Sequence, residues 1–508
     1  MFNQIIEKAQ KNKTKNIYIF THSNPDGDAI GSAMATKSYL KKFGLNGELV
    51  LEEPCPRFKF SFGLLPKFQG RIDENGIGII LDSSSEDVIE SPLYKKISKE
   101  NLFLIDHHLS QDRNTERTLG LNPENVVRIP ESSSTCEILA NLMDKSKIDP
   151  TIANNLIFGI CKDTHDLEHA KNPQTFDTTA KLIDCGGNFN FVRNSGNVKV
   201  MPSSFKEQAE IFGDFKKIEL SDGRFIAYVP VPYEKVATSK LSAIHKKIFV
   251  LADIENCAAY FTGVENKPGK FDFEFRSSVA FGDIDVSKIA IENGGGGHRS
   301  ASGATIESKD KTVEELCIEF ASQISEEYEK NGDKSIRQAS HSKENKLLQN
   351  IIRATNYFSR NVYAGNLRNV AALIKSGADY DILSKKSIPE KQVRLGFDMM
   401  KRYKIDKKEV SIPGRMPVVQ ESASLVLTKS EVNKLKEKYD VTEKDILLSF
   451  SKFGESKAVS ASLVINTEDG PKACIGKKIN GKWSEHLGIE YNEAKKANPS
   501  LPKISEER

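Results

Sequence analysis

The sequence predicts an α/β protein in which a mostly parallel sheet covered by helices is followed by a smaller α/β domain and then by an α+β C-terminal region. Three observations carry this reading. Residues 1–190 alternate short apolar runs with amphipathic segments, residues 217–325 restart with a second series of strand-like runs, and residues 347–508 pass from helical periodicity to hairpin strands. At 508 residues the chain is long enough for roughly two to four domains.

In the first region NIYIF (16–20), ELVLEE (48–53), GIGIILD (76–82) and NLFLID (101–106) are nearly continuous apolar runs and read as buried strands. Segments 29–44 and 134–146 have helical apolar spacing and fall between or after them. Strand–helix alternation of this kind specifies a mostly parallel sheet. A polar stretch with one helix, SSFKEQAEIFGDFKK, marks residues 191–216 as a connector. In 217–325, RFIAYVPV, CAAYFTGV and KFDFEFRSS read as strands, the last alternating apolar with polar as a half-exposed strand does. A short helix, VSKIAIEN, then leads into GGGGH and ASGATI. Residues 326–346 are almost wholly polar and read as a linker. In 347–508, KLLQNIIRATNYF and SEVNKLKEKYD read as helices, the second with Thr428 and Glu431 spaced as a capping box. AVSASLVI, PKACIGKKI and KWSEHLGI, separated by NTEDG and NG, read as a meander. No internal repeat is visible.

Composition narrows the class. The seven cysteines are scattered and never form a C-x-x-C pair, which argues for reduced thiols and against a disulfide frame or a zinc site. No apolar stretch is long enough to span a bilayer, and the first residues lack the apolar core of a signal peptide. A cytoplasmic protein with no membrane contact is the expectation. The net charge of +3 hides an asymmetry, because residues 340–508 hold 31 Lys and Arg against 21 Asp and Glu, and residues 1–339 hold 42 against 49. A basic rear third permits contact with polyanions such as nucleic acid, although a lysine-rich solvated surface accounts for it equally.

Acidic and imidazole groups cluster just beyond apolar segments at four places. NIYIF is followed by His22, Asp26 and Asp28, GIGIIL by Asp82, NLFLI by Asp106, His107 and His108, and LIFGICK by Asp163. Ligands of open α/β sheets bind beyond the carboxyl ends of strands, so three strands and a helix deliver charge to one edge. That many carboxylates packed together could not all stay ionised, and a pair of divalent cations relieves the conflict. Carboxylate and imidazole without thiolate suit Mn²⁺ or Mg²⁺, with Zn²⁺, Co²⁺ or Fe²⁺ as further options. Two such ions could share a bridging carboxylate, lower the pKa of a shared water and stabilise charge on a phosphate.

THSNPDGDAIGS, the isolated Asp82, D-H-H at 106–108 and Asp163 with Thr164 resemble the four motifs of the DHH phosphoesterase superfamily. RIPESSSTCEI (128–138) is similar to a further segment beside that family's active site, and FRSS (275–278) and GGGGHRSASG (294–303) resemble its DHHA1 substrate-binding domain. Within the superfamily the resemblance is to bacterial oligoribonucleases that also dephosphorylate 3′-phosphoadenosine 5′-phosphate. It implies a DHH catalytic domain over 1–190 and a DHHA1 domain over 217–325 across a cleft, followed by a basic region, 347–508, of unassigned role. It implies that His22 and Asp26 hold one metal, that Asp28, His107 and Asp163 hold the other, and that Asp82 bridges them. The metals implied are two divalent ions, foremost Mn²⁺, with Mg²⁺ or Co²⁺ as alternatives. Asp106 would orient the histidines, and His108 would assist proton transfer or contact substrate. Arg276, Ser277, Gly294, Gly295, Gly296, Gly297 and His298 would bind a terminal phosphate of the substrate, a short RNA or small nucleotide, with backbone N–H groups of the glycine run closing around it.

After Asp163 and Thr164 the family continues with a glycine, an aromatic and a basic residue, whereas this chain reads DTHDLEHAKNPQTF, which bears on substrate preference. Two alternatives stay open: hydrolysis of cyclic or linear dinucleotides by the same motifs, and a nucleotide- or RNA-binding regulator acting through the basic C-terminal region. For the latter, Arg394, Lys401, Arg402, Lys404, Lys407 and Lys408 with Phe397 and Tyr403 form a stretch that could bind nucleic acid or, more simply, be a solvated helix with aromatics packed inward. A homodimer is also left open.

Overall fold

A computed structural model describes residues 1–55, 59–108, 115–170, 172–196, 201–239, 244, 248, 251–278, 284–331, 342–384, 387–410, 418–450, 458–479, 482–498 and 501–502. The chain forms two compact units, each assembled from two separated stretches: Met1–Val198 with Ala339–Ser384, and Lys199–Gln338 with Lys385–Arg508.

The first unit is built on a five-stranded sheet: β1 (Asn16–Phe20), β2 (Asn46–Leu49), β3 (Ile77–Leu81), β4 (Leu102–Asp106) and β5 (Val126–Arg128). All neighbours are parallel, in the order β2-β1-β3-β4-β5. The apolar runs read as strands are therefore the sheet's interior: every residue of β3 and β4 is buried, as expected for strands covered on both faces. The edge strand β5 has only three residues and escaped the sequence reading. Because β2 and β3 lie on opposite sides of β1, the order reverses between β1 and β3, the kind of switch point beyond whose strands' carboxyl ends open α/β sheets bind ligands.

Helices cover the sheet, and their starts are locally encoded. Asp26 caps helix Gly27–Lys41, Ser134 caps Thr135–Leu142, and Asp149 caps Pro150–Asp163, which has proline at its first position. Gly31 lies where any Cβ would stand 2.8 Å from the Asn155 carbonyl oxygen, so the glycine lets helix Gly27–Lys41 cross Pro150–Asp163 closely. The stretch 342–384 adds helices Lys343–Ala354, Ala364–Lys375 and Tyr380–Leu383 to this unit, where Leu348, Ile352, Phe358, Leu367 and Tyr380 join the core with Phe176, Leu182 and Phe189. The sequence alone does not attach this stretch to residues 1–190. Of the expected linker, residues 332–341 lie outside the described residues, while helix Val313–Asn331 runs through the part before them.

The second unit holds two sheets among the described residues. One comprises β6 (Lys216–Glu219), β7 (Phe225–Val231), β8 (Cys257–Lys267), β9 (Lys270–Ser277), β10 (Gly296–His298) and β11 (Ala301–Glu307), ordered β10-β11-β9-β8-β7-β6. The other comprises β12 (Lys404–Val410), β13 (Val418–Leu427), β14 (Ser460–Thr467), β15 (Gly470–Ile479) and β16 (Lys482–Glu490), in sequential order. The expected meander is β14–β16, and the capping box of Thr428 with Glu431 opens helix Lys429–Tyr439. The NG turn between β15 and β16 lies outside the described residues.

The basic stretch 394–408 resolves into helix Glu390–Arg402 and strand β12. Tyr403 is buried and Phe397 packs against the apolar cores. Arg394 stacks on the Phe215 ring, and Lys401, Arg402 and Lys407 pair with Asp214, Asp398 and Glu421. The inward-packing reading of this stretch holds, since its aromatics and most of its cations already have partners. No helix among the described residues is long and apolar enough to cross a membrane.

Candidate metal centre

All eight acidic and imidazole residues singled out in 1–190 meet beyond the carboxyl ends of β1, β3 and β4. His22 follows β1 by two residues, Asp26 and Asp28 occupy the start of helix Gly27–Lys41, and Asp82 directly follows β3. Asp106 ends β4 with His107 and His108 behind it, and Asp163 ends helix Pro150–Asp163.

Three sets of side chains each bring three ligand atoms within 4.8 Å of one another: His22 with Asp26 and Asp82, Asp28 with His107 and Asp163, and Asp82 with His107 and His108. Asp82 stands between the first two sets. Its Oδ2 lies 3.9 Å from His22 Nε2 and its Oδ1 lies 3.5 Å from His107 Nε2. His107 Nε2 is in turn 3.1 Å from Asp163 Oδ2. The two oxygens of one carboxylate thus face two neighbouring donor sets, the arrangement a bridging ligand needs.

The partners behind the donors hold them in place. The Asp28 carboxylate accepts hydrogen bonds from the Thr135 amide at 2.6 Å and the Cys136 amide at 3.0 Å, at the N-terminus of helix Thr135–Leu142. The Thr135 hydroxyl donates to Asp82 Oδ1 at 3.0 Å. Asp26 accepts from the amides of Asp28 and Ala29 as a helix cap. Asp106 is fully buried between His108, whose Nδ1 lies 2.7 Å from Oδ1, and the Arg128 guanidinium on Oδ2. Arg128 is held on its other side by Glu116. His107 Nδ1 faces the Ser132 carbonyl at 3.4 Å.

Asp82 is 2 % exposed, and burial, followed by the charges of Asp28, Asp26, Asp163 and Asp106, pushes its pKa well above the ordinary carboxylate value. Burial and the neighbouring Asp26 likewise raise Asp28, to about 6. Burial opposes ionisation of Asp26 too, yet the His22 ring and two backbone amides outweigh it and hold Asp26 at about 2. Asp82 also adopts φ +54°, a left-handed conformation that few non-glycine residues take and that costs of order 1 kcal/mol. Uncompensated carboxylates on a strained backbone suit a site built for cations. The donor set, carboxylate and imidazole without thiolate, fits hard to borderline divalent ions.

Three supporting residues escaped the sequence reading. Arg128 ends the short strand β5 and opens the segment 128–138, whose resemblance assigns it no role of its own. Thr135 lies within the segment 128–138 but was given no role. Gly159 sits one helical turn before Asp163 and so shares its face. A Cβ there would stand 2.6 Å from Asp28 Oδ1 and 2.2 Å from Cys136 Sγ, so this glycine makes room for a ligand. Gly159→Ala is expected to displace Asp28, lowering metal-dependent turnover about 100-fold and stability by about 1–3 kcal/mol. Metal titration and denaturation of the variant check both.

The remaining candidates lie in the second unit. Arg276 and Ser277 end β9, and Gly296, Gly297 and His298 form β10. Across the strands Arg276 pairs with Ala301, which pairs with His298, so all three share one row. Arg276 contacts the carboxylate of Glu274, and the Ser277 hydroxyl accepts from the Ile284 amide at 2.7 Å. Packing accounts for part of the glycine run. A Cβ on Gly295 would stand 2.1 Å from the Gly303 carbonyl oxygen, whereas one on Gly296 would meet nothing within 4 Å.

Parts of the chain are similar to known proteins. Residues 16–160 match the DHH family, N-terminal domain. A bifunctional oligoribonuclease and PAP phosphatase NrnA of Mycoplasma genitalium is 25 % identical over 319 residues, covering 61 % of this chain and 93 % of the relative. Its namesake in Thermus thermophilus is 25 % identical over 309 residues, covering 58 % of this chain and 85 % of the relative. An exopolyphosphatase-related protein from Bacteroides fragilis superposes with a TM-score of 0.52 at 18 % identity, covering 65 % of this chain and 97 % of its own, a likeness of fold.

Proposed function

We propose, on the premise that residues 16–160 are a DHH family N-terminal domain, that this protein is a two-metal phosphoesterase that cuts short oligoribonucleotides exonucleolytically and dephosphorylates 3′-phosphoadenosine 5′-phosphate. The observation that carries the reading is Asp82, whose two carboxylate oxygens each face a separate set of donors.

His22 and Asp26 would hold one ion and Asp28, His107 and Asp163 the other, with Asp82 shared and Mn²⁺ the preferred metal. When bound, the pair would supply positive charge for the phosphate oxygens and a water acidified to about neutrality. Asp28 and Asp82 are held by Thr135 and Cys136, so these donors need no rearrangement as charge develops. Asp106, itself neutralised by Arg128, fixes His108 through Nδ1 and leaves Nε2 as the atom that can pass a proton to the leaving oxygen or bond the phosphate. In the second unit, Arg276, Ser277, the glycine run 294–297 and His298 would take a terminal phosphate, and capturing that end favours exonucleolytic cutting of very short substrates.

The test is hydrolysis of a 5′-labelled RNA dinucleotide, a longer RNA, a cyclic dinucleotide and 3′-phosphoadenosine 5′-phosphate, each with Mn²⁺ and with EDTA. Rapid, EDTA-sensitive turnover of the dinucleotide and the bisphosphate is expected. Preference for the cyclic dinucleotide would move the substrate class, and no turnover of any substrate would overturn the reading.

A further inference from the structure

The stretch 342–384 repeats the stretch 150–196 at a constant offset of 191 residues. Helices Pro150–Asp163, Pro173–Asp184 and Phe189–Gly196 correspond to Lys343–Ala354, Ala364–Lys375 and Tyr380–Leu383. The turns between them are built alike. Residues His165, Asp166 and Leu167 are left-handed, as are Asn356, Tyr357 and Phe358, and Gly186 (φ +91°) corresponds to Gly377 (φ +94°). The Thr164 hydroxyl donates to the Ile160 carbonyl and accepts from the Leu167 amide, just as Thr355 does with Ile351 and Phe358. The Asn188 amide donates to Asn154 Oδ1 at 2.8 Å, and the Asp379 amide to Asn345 Oδ1 at 2.8 Å.

The repeat continues in the second unit. Helix Pro202–Phe212 precedes β6 as helix Glu390–Arg402 precedes β12, and Ala209 of the first packs among Leu395, Met399 and Met400 of the second. Strands β6, β7, β8, β9 and β11 follow one another across their sheet in the senses antiparallel, parallel, antiparallel, antiparallel, and β12–β16 do the same. The β8–β9 and β14–β15 hairpins each turn on a positive-φ glycine, Gly269 and Gly470.

Within the first unit the two copies touch reciprocally. Arg368 pairs with Asp184 and Lys375 with Asp177, and these contacts exchange under the same offset. So do the Arg193 contact to the Ser359 carbonyl and the Ser384 contact to the Glu168 carbonyl. A residue i touching j while the equivalent of j touches the equivalent of i is the signature of a two-fold, self-complementary interface. The copies differ in charge. Two first copies would set Asp177 against Asp184, and two second copies Arg368 against Lys375, so like charges oppose either self-pairing and opposite charges favour the mixed pair.

The second copy has lost the chemistry. The strands that carry the other acidic and imidazole residues of the cluster lie before residue 150 and have no counterpart among the described residues of 342–498, Ala354 stands at the position of Asp163, and only Asn480 and Gly481 separate β15 from β16 where residues 278–300 separate β9 from β11. We infer that residues 342–498 are a second copy of 150–331, without a counterpart of the proposed metal centre among its described residues, that occupies within one chain the face an identical subunit would otherwise fill, making the protein an internal pseudo-dimer. Tethering raises the effective concentration of the cis partner far above that of a second molecule.

The test uses the full chain with Cys55 and Cys185 replaced by serine, carrying Asp177→Cys and Lys375→Cys, treated with a short bifunctional maleimide. Residues 177 and 375 form one of the reciprocal pairs, and both are partly exposed. The expected product is a cross-linked species of single-chain mass on a denaturing gel, with the untreated protein reading 56.6 kDa by light scattering. Cross-linking that joins two chains would overturn the inference in favour of exchange between molecules, and no cross-link would overturn the pairing itself. Neither readout depends on activity, so this result stands apart from the substrate assay.

Discussion

Asp82→Asn is expected to abolish metal-dependent hydrolysis while making the metal-free protein more stable than the wild type. Asparagine keeps the size of the side chain, tolerates the left-handed backbone that Asp82 adopts at φ +54°, and can still accept the Thr135 hydroxyl through Oδ1. What it removes is the buried charge that faces both donor sets. Divalent ions supply several kcal/mol of charge stabilisation, and each 1.4 kcal/mol is a factor of about ten, so the loss in turnover should be on the order of 10³-fold or more. Without metal the same charge is a burden, because burial and four neighbouring carboxylates disfavour it. Its removal should stabilise the apo protein by about 0.5–2 kcal/mol, the range seen where a functional residue opposes stability. The pH dependence follows from the direction of the shift. A carboxyl whose folded pKa is raised costs the native state stability as pH rises from the ordinary carboxylate range through the raised value. The advantage of the Asp82→Asn variant in EDTA should therefore be greatest at neutral and alkaline pH and fade in acid. Thermal melts with EDTA and with Mn²⁺ check both signs, since Mn²⁺ should stabilise only the wild type. Retained turnover in the variant would remove Asp82 from the centre of the site.

The part of the fold that carries this chemistry was legible because its signals are local. β1, β3 and β4 are short and buried on both faces, so each reads as an apolar run, and the charged residues directly after them can only emerge at the sheet's carboxyl edge. Asp26 and Ser134 announce their helices by capping chemistry. What was not legible depends on contacts between distant segments. The three-residue strand β5 owes its existence to pairing with β4 and has no periodicity of its own. The repeat was hidden because its copies share few identities, among them Ile160 with Ile351, Thr164 with Thr355, Leu182 with Leu373 and Gly186 with Gly377. What survived is the set of positions that turn geometry and packing require, and such positions are too sparse to read as self-similarity along a chain. The same sparseness explains why the rear third looked merely basic: Arg368 and Lys375 are cations because the other copy carries Asp184 and Asp177.

Arg128→Ala tests the opposite electrostatic logic within the same cluster and is expected to destabilise the protein by about 3–5 kcal/mol, the cost of stranding a buried charge by removing its partner. Arg128 is 8 % exposed in its side chain and Asp106 is 0 % exposed, so water cannot replace the lost guanidinium. Burial and neighbouring carboxylates oppose the charge of Asp82, whereas that of Asp106 is already paired: against the penalty of burial, His108 and Arg128 hold its pKa below the ordinary value. A depressed folded pKa gives stability that is present above the unfolded value of about 3.9 and is lost as pH falls through the folded one. The gap between wild type and variant should thus be full at pH 7 and narrow in acid, the same pH profile as the Asp82→Asn gap with the opposite sign. Urea denaturation at neutral and acidic pH measures this directly. Turnover adds the functional half, because Asp106 without Arg128 would either protonate or draw a proton from His108, and either change spoils the presentation of His108 Nε2. Arg128→Lys restores the charge without the fork that spans Asp106 and Glu116. It should recover much of the stability and less of the turnover, and equal recovery of both would mean that Arg128 acts on the fold alone.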